Sequence, residues 1–116
     1  MSTLGYQAFA NVWQAGWNSH DLNRLLSHYC DHLFFHSRKA LALTGSGVIH
    51  GKQELRAYWA TALEQQPDLI FTVEDVFEGH EMMVITYKNH LGVLAAETLY
   101  FGPDGLVTQA TACHRE

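Results

Sequence analysis

Scarcity bounds this chain first. Its 116 residues include only seven Lys and Arg, scattered along the sequence, and the formal net charge is −5 with His neutral. A nucleic-acid surface needs a clustered basic patch, so nucleic acid is excluded as a partner. No apolar run approaches the roughly 18 residues that span a bilayer, and no membrane partner is expected. The N-terminus lacks the basic-then-apolar layout of a secretory signal, which makes the cytoplasm the expected location. There are two cysteines, Cys30 and Cys113. In that compartment two thiols stay reduced, and no disulfide is expected. Repeats, low-complexity tracts and linkers are missing, so residues 1–116 read as one domain. Gly45-Ser46-Gly47 lacks the Gly-Lys-Ser/Thr ending of a phosphate loop and reads as a flexible turn.

Apolar residues, by contrast, make up 47% of the chain, enough for a core without metals or disulfides. Histidine is abundant, with eight residues. His28, His32 and His36 have the i, i+4 spacing that a helical zinc site uses. They straddle an expected helix-to-strand break, and no Cys pair or H-E-x-x-H pattern accompanies them. Neither a metal nor a cofactor is expected.

The spacing predicts a helix over 4–18 with an aromatic face of Tyr6, Phe9, Trp13 and Trp17. Asn18-Ser19-His20 breaks it. Asp21 caps a second helix that runs to about Tyr29. Residues 33–37 read as a strand, 38–47 as a connection and 48–51 as a short extended segment. A third helix spans 52–65, buries Leu55, Tyr58 and Trp59, and stops before Pro67. Four strands follow, 69–77, 82–90, 94–101 and 106–114, separated by short turn signals. Helices first and a meander after is an α+β pattern, with helices packed on one face of a curved antiparallel sheet.

Strand alternation assigns the inner face. Leu69, Phe71 and Val73 point inward, as do Met83, Ile85, Tyr87 and Asn89. In 94–101 the more apolar set is Ala95, Glu97, Leu99 and Phe101, which places Glu97 inside. An ionised carboxylate there is costly, so a raised pKa or a dedicated partner is expected, with Tyr87 and Asn89 the nearest candidates. Cys113 and Thr111 are predicted inward as wall residues. The outer face is left with Ile70, Thr72, Val84, Thr86, Ala96, Thr98 and Tyr100. A half-apolar open face needs a cover, and an isologous homodimer through it is expected.

Trp17-Asn18-Ser19-His20-Asp21-Leu22, followed by Tyr29-Cys30-Asp31-His32-Leu33-Phe34-Phe35, resembles the SnoaL-like branch of the nuclear transport factor 2-like superfamily. Gly47-Val48-Ile49-His50-Gly51, running on through Leu55-Arg56-Ala57-Tyr58-Trp59, is similar to that family's second motif. The resemblance implies a cone-shaped fold of three helices on a curved sheet enclosing a pocket. It also implies small-molecule chemistry of several kinds: isomerases, dehydratases, polyketide cyclases, epoxide hydrolases and non-catalytic binding modules.

Ketosteroid isomerases in the superfamily use an Asp base, a Tyr and a neutral acid that stabilise an enolate. Their base position corresponds to Ser37, their tyrosine to Trp13 and their neutral acid to Glu97. Ser37 is no useful proton acceptor, so that mechanism is disfavoured. His36, beside it, is a base near neutral pH. Alternation points it outward, and a bulge would turn it toward Glu97. The expected reaction is cofactor-free isomerase, lyase or cyclase chemistry on a small apolar or polyketide-like molecule. Glu97, Tyr87, Asn89 and His36 are its candidate catalytic groups. Trp13, Trp17, Ser37, Trp59, Phe71, Leu99, Thr111 and Cys113 are the candidate substrate walls. A non-catalytic ligand-binding or protein-interaction domain is the alternative.

Overall fold

A computed structural model describes residues 5–115; the expected helix start at Leu4 lies outside them. The order of elements is α1 (Tyr6–Ser19), α2 (Leu22–Leu26), β1 (Tyr29–Ser37), α3 (Arg38–Thr44), β2 (Val48–His50), α4 (Lys52–Gln65), β3 (Thr72–Gly79), β4 (Met82–Lys88), β5 (Leu94–Phe101) and β6 (Val107–His114). The six strands form one sheet in the order β2-β1-β6-β5-β4-β3. It is the expected α+β fold, with two corrections. The β1–β6 pair is parallel, so the sheet is mixed. The segment after residue 37 forms a fourth helix, α3, started by the Ser37 hydroxyl, which accepts from the Ala40 N–H at 3.3 Å. Gly45 ends it with φ 87°, a backbone state that favours glycine.

The second helix is shorter than expected. Asp21 caps it by accepting from Asn23 N and Arg24 N, but it stops at Leu26, and Tyr29 already starts β1. The Asn18–His20 break is a clamp. Asn18 accepts from Phe71 N at 2.8 Å and donates to Phe71 O at 2.9 Å. The His20 ring lies 2.8 Å from Leu69 O, and Gln14 accepts from Val73 N at 2.7 Å. These bonds satisfy the backbone that enters β3 and hold α1 over that end of the sheet.

The inner face of the sheet is apolar along one row, Met83–Leu99–Ala110–Phe35–Ile49, where each residue faces the next across paired strands. All five are buried, and α1, α2 and α4 cover them with Phe9, Leu25, Leu26 and Leu55. That end of the cone is solid core. Among the described residues no helix is long and apolar enough to cross a membrane.

Candidate functional site

The pocket lies at the other end of the same face. Two further rows run across the sheet there: Tyr87–Ala95–His114, and Glu97–Ala112–Ser37. The middle residue of each row is alanine. Ala95 is smaller than Leu99, its β5 counterpart in the core row, while Ala112 matches Ala110, and these methyl groups leave a hollow with polar groups at its corners. Trp17 from α1, Tyr58, Trp59 and Ala62 from α4, and Phe71 close it from above. The aromatic walls pack on one another, Trp17 against Trp59 at 4.8 Å and Phe71 against Tyr87 at 4.6 Å between ring centroids. Half-buried Lys39, Gln66, Asn89 and Val93 form the rim.

The hollow has a volume of about 70 Å³. An apolar cavity of roughly 150 Å³ holds benzene. A bound molecule is therefore compact, or rim side chains move to admit a larger one.

Glu97 is the polar centre. It is 3% exposed and accepts a hydrogen bond from the Tyr87 hydroxyl at 3.3 Å. Burial pushes its pKa up from 4.5 to about 7, while Tyr87 and the Trp13 indole, which favour the charged form, pull partly against it. Trp13 Nε1 faces the carboxyl from outside hydrogen-bonding geometry. Trp13 Nε1, Tyr29 OH and Glu97 Oε2 are all buried without a hydrogen-bond partner among the described residues. Trp17 Nε1 is a fourth such group, on a side chain of the pocket wall.

Burial, and after it the Glu97 charge, raises Tyr29 and Tyr87 well above the usual phenol value. Burial also raises Tyr58, with the Ser37 hydroxyl working against it. The phenols thus stay protonated at neutral pH, and that of Tyr87 donates to Glu97, whose own pKa lies near neutrality.

Seven of the expected residues line the hollow: Trp17, Ser37, Trp59, Phe71, Tyr87, Asn89 and Glu97. Asn89 does not serve Glu97 as expected. Its side-chain oxygen closes its own turn, accepting from Leu91 N at 2.9 Å and Val93 N at 3.0 Å. Trp13 is buried behind the wall, stacked on Phe71 and edge-on to Trp17 and Tyr87. Leu99 belongs to the solid core row.

Thr111, Cys113 and His36 sit on the opposite face of the sheet. The register of β6 shifts between Val107 and Gln109, so Ala110, Ala112 and His114 turn inward, and Thr111 and Cys113 turn outward. His36 pairs with Thr111 and Val48 and is exposed, as plain alternation from Ser37 requires.

Three further groups, which the sequence does not single out as site residues, belong here. Tyr29 starts β1 instead of ending a helix, and the alternation Tyr29, Leu33, Phe35, Ser37 marks an inward set. Tyr58 is buried, as the helix spacing predicts, and also lines the hollow. His114, at the end of β6, is brought to the pocket by the same shift.

Comparison with known proteins agrees with this architecture. No curated protein sequence matches the chain. A SnoaL-like protein of unknown function from Burkholderia thailandensis shares 36% identity over 96% of this chain and 94% of its own, with a TM-score of 0.92. An NTF2-like protein of unknown function from Cytophaga hutchinsonii superposes with a TM-score of 0.74 at 10% identity, covering 98% of this chain and 93% of its own. TerC, co-crystallised with polyporic acid, gives 0.79 at 13% identity, covering 95% and 91%. The model of the SnoaL-like domain matches residues 10–114, and the chain belongs to that family.

Proposed function

We propose that the hollow is the active site of a cofactor-free isomerase-, lyase- or cyclase-type enzyme acting on a compact apolar or polyketide-like molecule, with Glu97 as its acid/base. The observation that carries this reading is a carboxyl, Glu97, buried at the wall of an aromatic cavity, where burial pushes its pKa up to about 7. A group whose pKa lies near the working pH transfers protons best. Tyr87 holds the carboxyl in place, and Trp17, Trp59 and Phe71 offer flat apolar walls. The buried Trp17 N–H supplies a donor for an acceptor on the ligand.

The outer face carries Tyr100, Val48, Phe34 and Phe77, each more than 40% exposed. We assign it to a second copy of the chain, and monomeric behaviour in light scattering would contradict that assignment. Unbridged Cys30 and Cys113 fit a reducing, cytoplasmic setting.

A second reading, ligand binding without turnover, is favoured by one observation: the expected base His36 faces away from the cavity. A panel of compact ketones and aromatic acids, followed by quenching of Trp17 and Trp59 fluorescence and by turnover, separates the two. The enzyme reading expects Glu97→Gln to keep binding and to lose turnover by about a hundredfold or more. Binding with no turnover by either protein supports the second reading.

A further inference from the structure

The acid reading leaves Glu97 without a partner to move the second proton. Ser37 cannot accept one, and His36 points away. The inner-face grid supplies another group. His114 is directly opposite Ala95, and Ala112 directly opposite Glu97, so His114 and Glu97 are diagonal neighbours on one face. Diagonal neighbours on paired antiparallel strands stand roughly 7–8 Å apart at the backbone, within reach of long side chains. Both line the hollow, and Ala95 and Ala112 form its floor between them. The space separating an imidazole from a carboxyl is thus the ligand space itself. His114 is half-buried and lines the hollow near the end of β6.

We propose that His114 is the catalytic base of this pocket and works as a pair with Glu97 on a carbonyl compound bound over Ala95 and Ala112. This rests on the reading of Glu97 as the pocket acid. A neutral imidazole nitrogen takes a proton from the carbon next to the carbonyl. The electron pair of that C–H bond becomes the new C=C bond, and the carbonyl π pair moves onto oxygen. Protonated Glu97 stabilises that oxygen by donating a hydrogen bond. The imidazolium then trades its proton with solvent and delivers the new one to the same carbon, which gives exchange, or it delivers a proton to a carbon farther along the conjugated system, which gives isomerisation. No oxidant, metal or co-reactant is consumed.

The charged and titratable groups that face the pair are Tyr87 from β4, Tyr58 from α4, Lys39 from α3 and Tyr29 from β1, which also contributes the neutral Ser37. With the phenols protonated, Glu97 is the neighbour of His114 whose charge changes near neutrality.

Two measurements on the intact chain test this. In NMR titrations, Glu97→Gln lowers the His114 midpoint by about one pH unit, because the anion at the diagonal strand position is removed; an unchanged midpoint overturns the pair. In D₂O, the α-carbon exchange of 2-indanone and cyclopentanone is followed by proton NMR. Wild type accelerates it, and His114→Gln and Glu97→Gln each slow it by about a hundredfold. His80→Gln, in the exposed β3–β4 turn, leaves it unchanged. If Glu97→Gln loses the exchange and His114→Gln keeps it, His114 is not the base and the acid reading stands. If neither variant changes the rate, or wild type does not exceed buffer, both fail.

Discussion

The two ends of one sheet face behave differently. At one end Met83, Leu99, Ala110, Phe35 and Ile49 form a closed apolar row under the helices. At the other, Ala95 separates Tyr87 from His114, and Ala112 separates Glu97 from Ser37. The backbone ladder is shared, and the difference lies in side-chain volume and polarity. Protein interiors close up to crystal-like density wherever side chains can meet. A hollow persists where small residues sit at its floor and rigid rings span its roof. The same burial makes Glu97 costly to ionise, because lost hydration outweighs the groups that favour its charged form. The core end stores stability, and the pocket end gives some of it up.

Truncation at each end breaks this contrast most directly. Leu99→Ala, in the solid row, is expected to cost about 2–5 kcal/mol in denaturant unfolding, because its neighbours cannot collapse into the gap. A loss below about 1 kcal/mol would mean that the core end is also loosely packed.

The pocket end has a pH signature of the opposite kind. The folded-state pKa of Glu97 is raised, so between pH 4.5 and about 7 the folded protein holds a proton that the unfolded chain has released. Glu97 therefore lowers stability as pH rises through that window. At ~1.4 kcal/mol for each tenfold change in protonation, the difference between wild type and Glu97→Gln should change by about 3 kcal/mol from pH 4 to pH 8, in favour of the variant at high pH. A constant difference across that range would contradict the account.

The smallest effect is expected on the outer face. Cys113→Ser should change stability by less than about 0.5 kcal/mol, since the thiol is exposed. A loss of several times that would restore the inward orientation that alternation alone assigns to it.

That last contrast marks how far the sequence was legible. In β4 and β5 the alternation is clean, and Met83, Ile85, Tyr87, Ala95, Glu97 and Leu99 all point where it puts them. These strands pair with each other without a register shift. In β6 one shift beside Gln109 inverts everything after it, and composition gives little warning, because Thr111 and Cys113 are as acceptable inside as Ala112. The β1–β6 register likewise slips between Tyr29 and Phe34, which hid Tyr29 at an apparent helix end. The α4 bounds were readable from Gly51, whose φ of 89° permits the turn, and from Pro67 beyond the end. The α3 helix was not read, being one short run after a capping serine that also ends a strand. Asn18 and His20 were legible as a break in α1. Their clamp on residues 69–71 depends on a partner about fifty positions away, which periodicity cannot supply.

The central claim is that the pocket end holds a carboxyl that titrates near neutrality. A ¹³C NMR titration of the Glu97 carboxyl, assigned by its loss in Glu97→Gln, tests it without knowledge of any substrate. The account predicts a midpoint of about 7, and a midpoint at the ordinary 4.5 would contradict it.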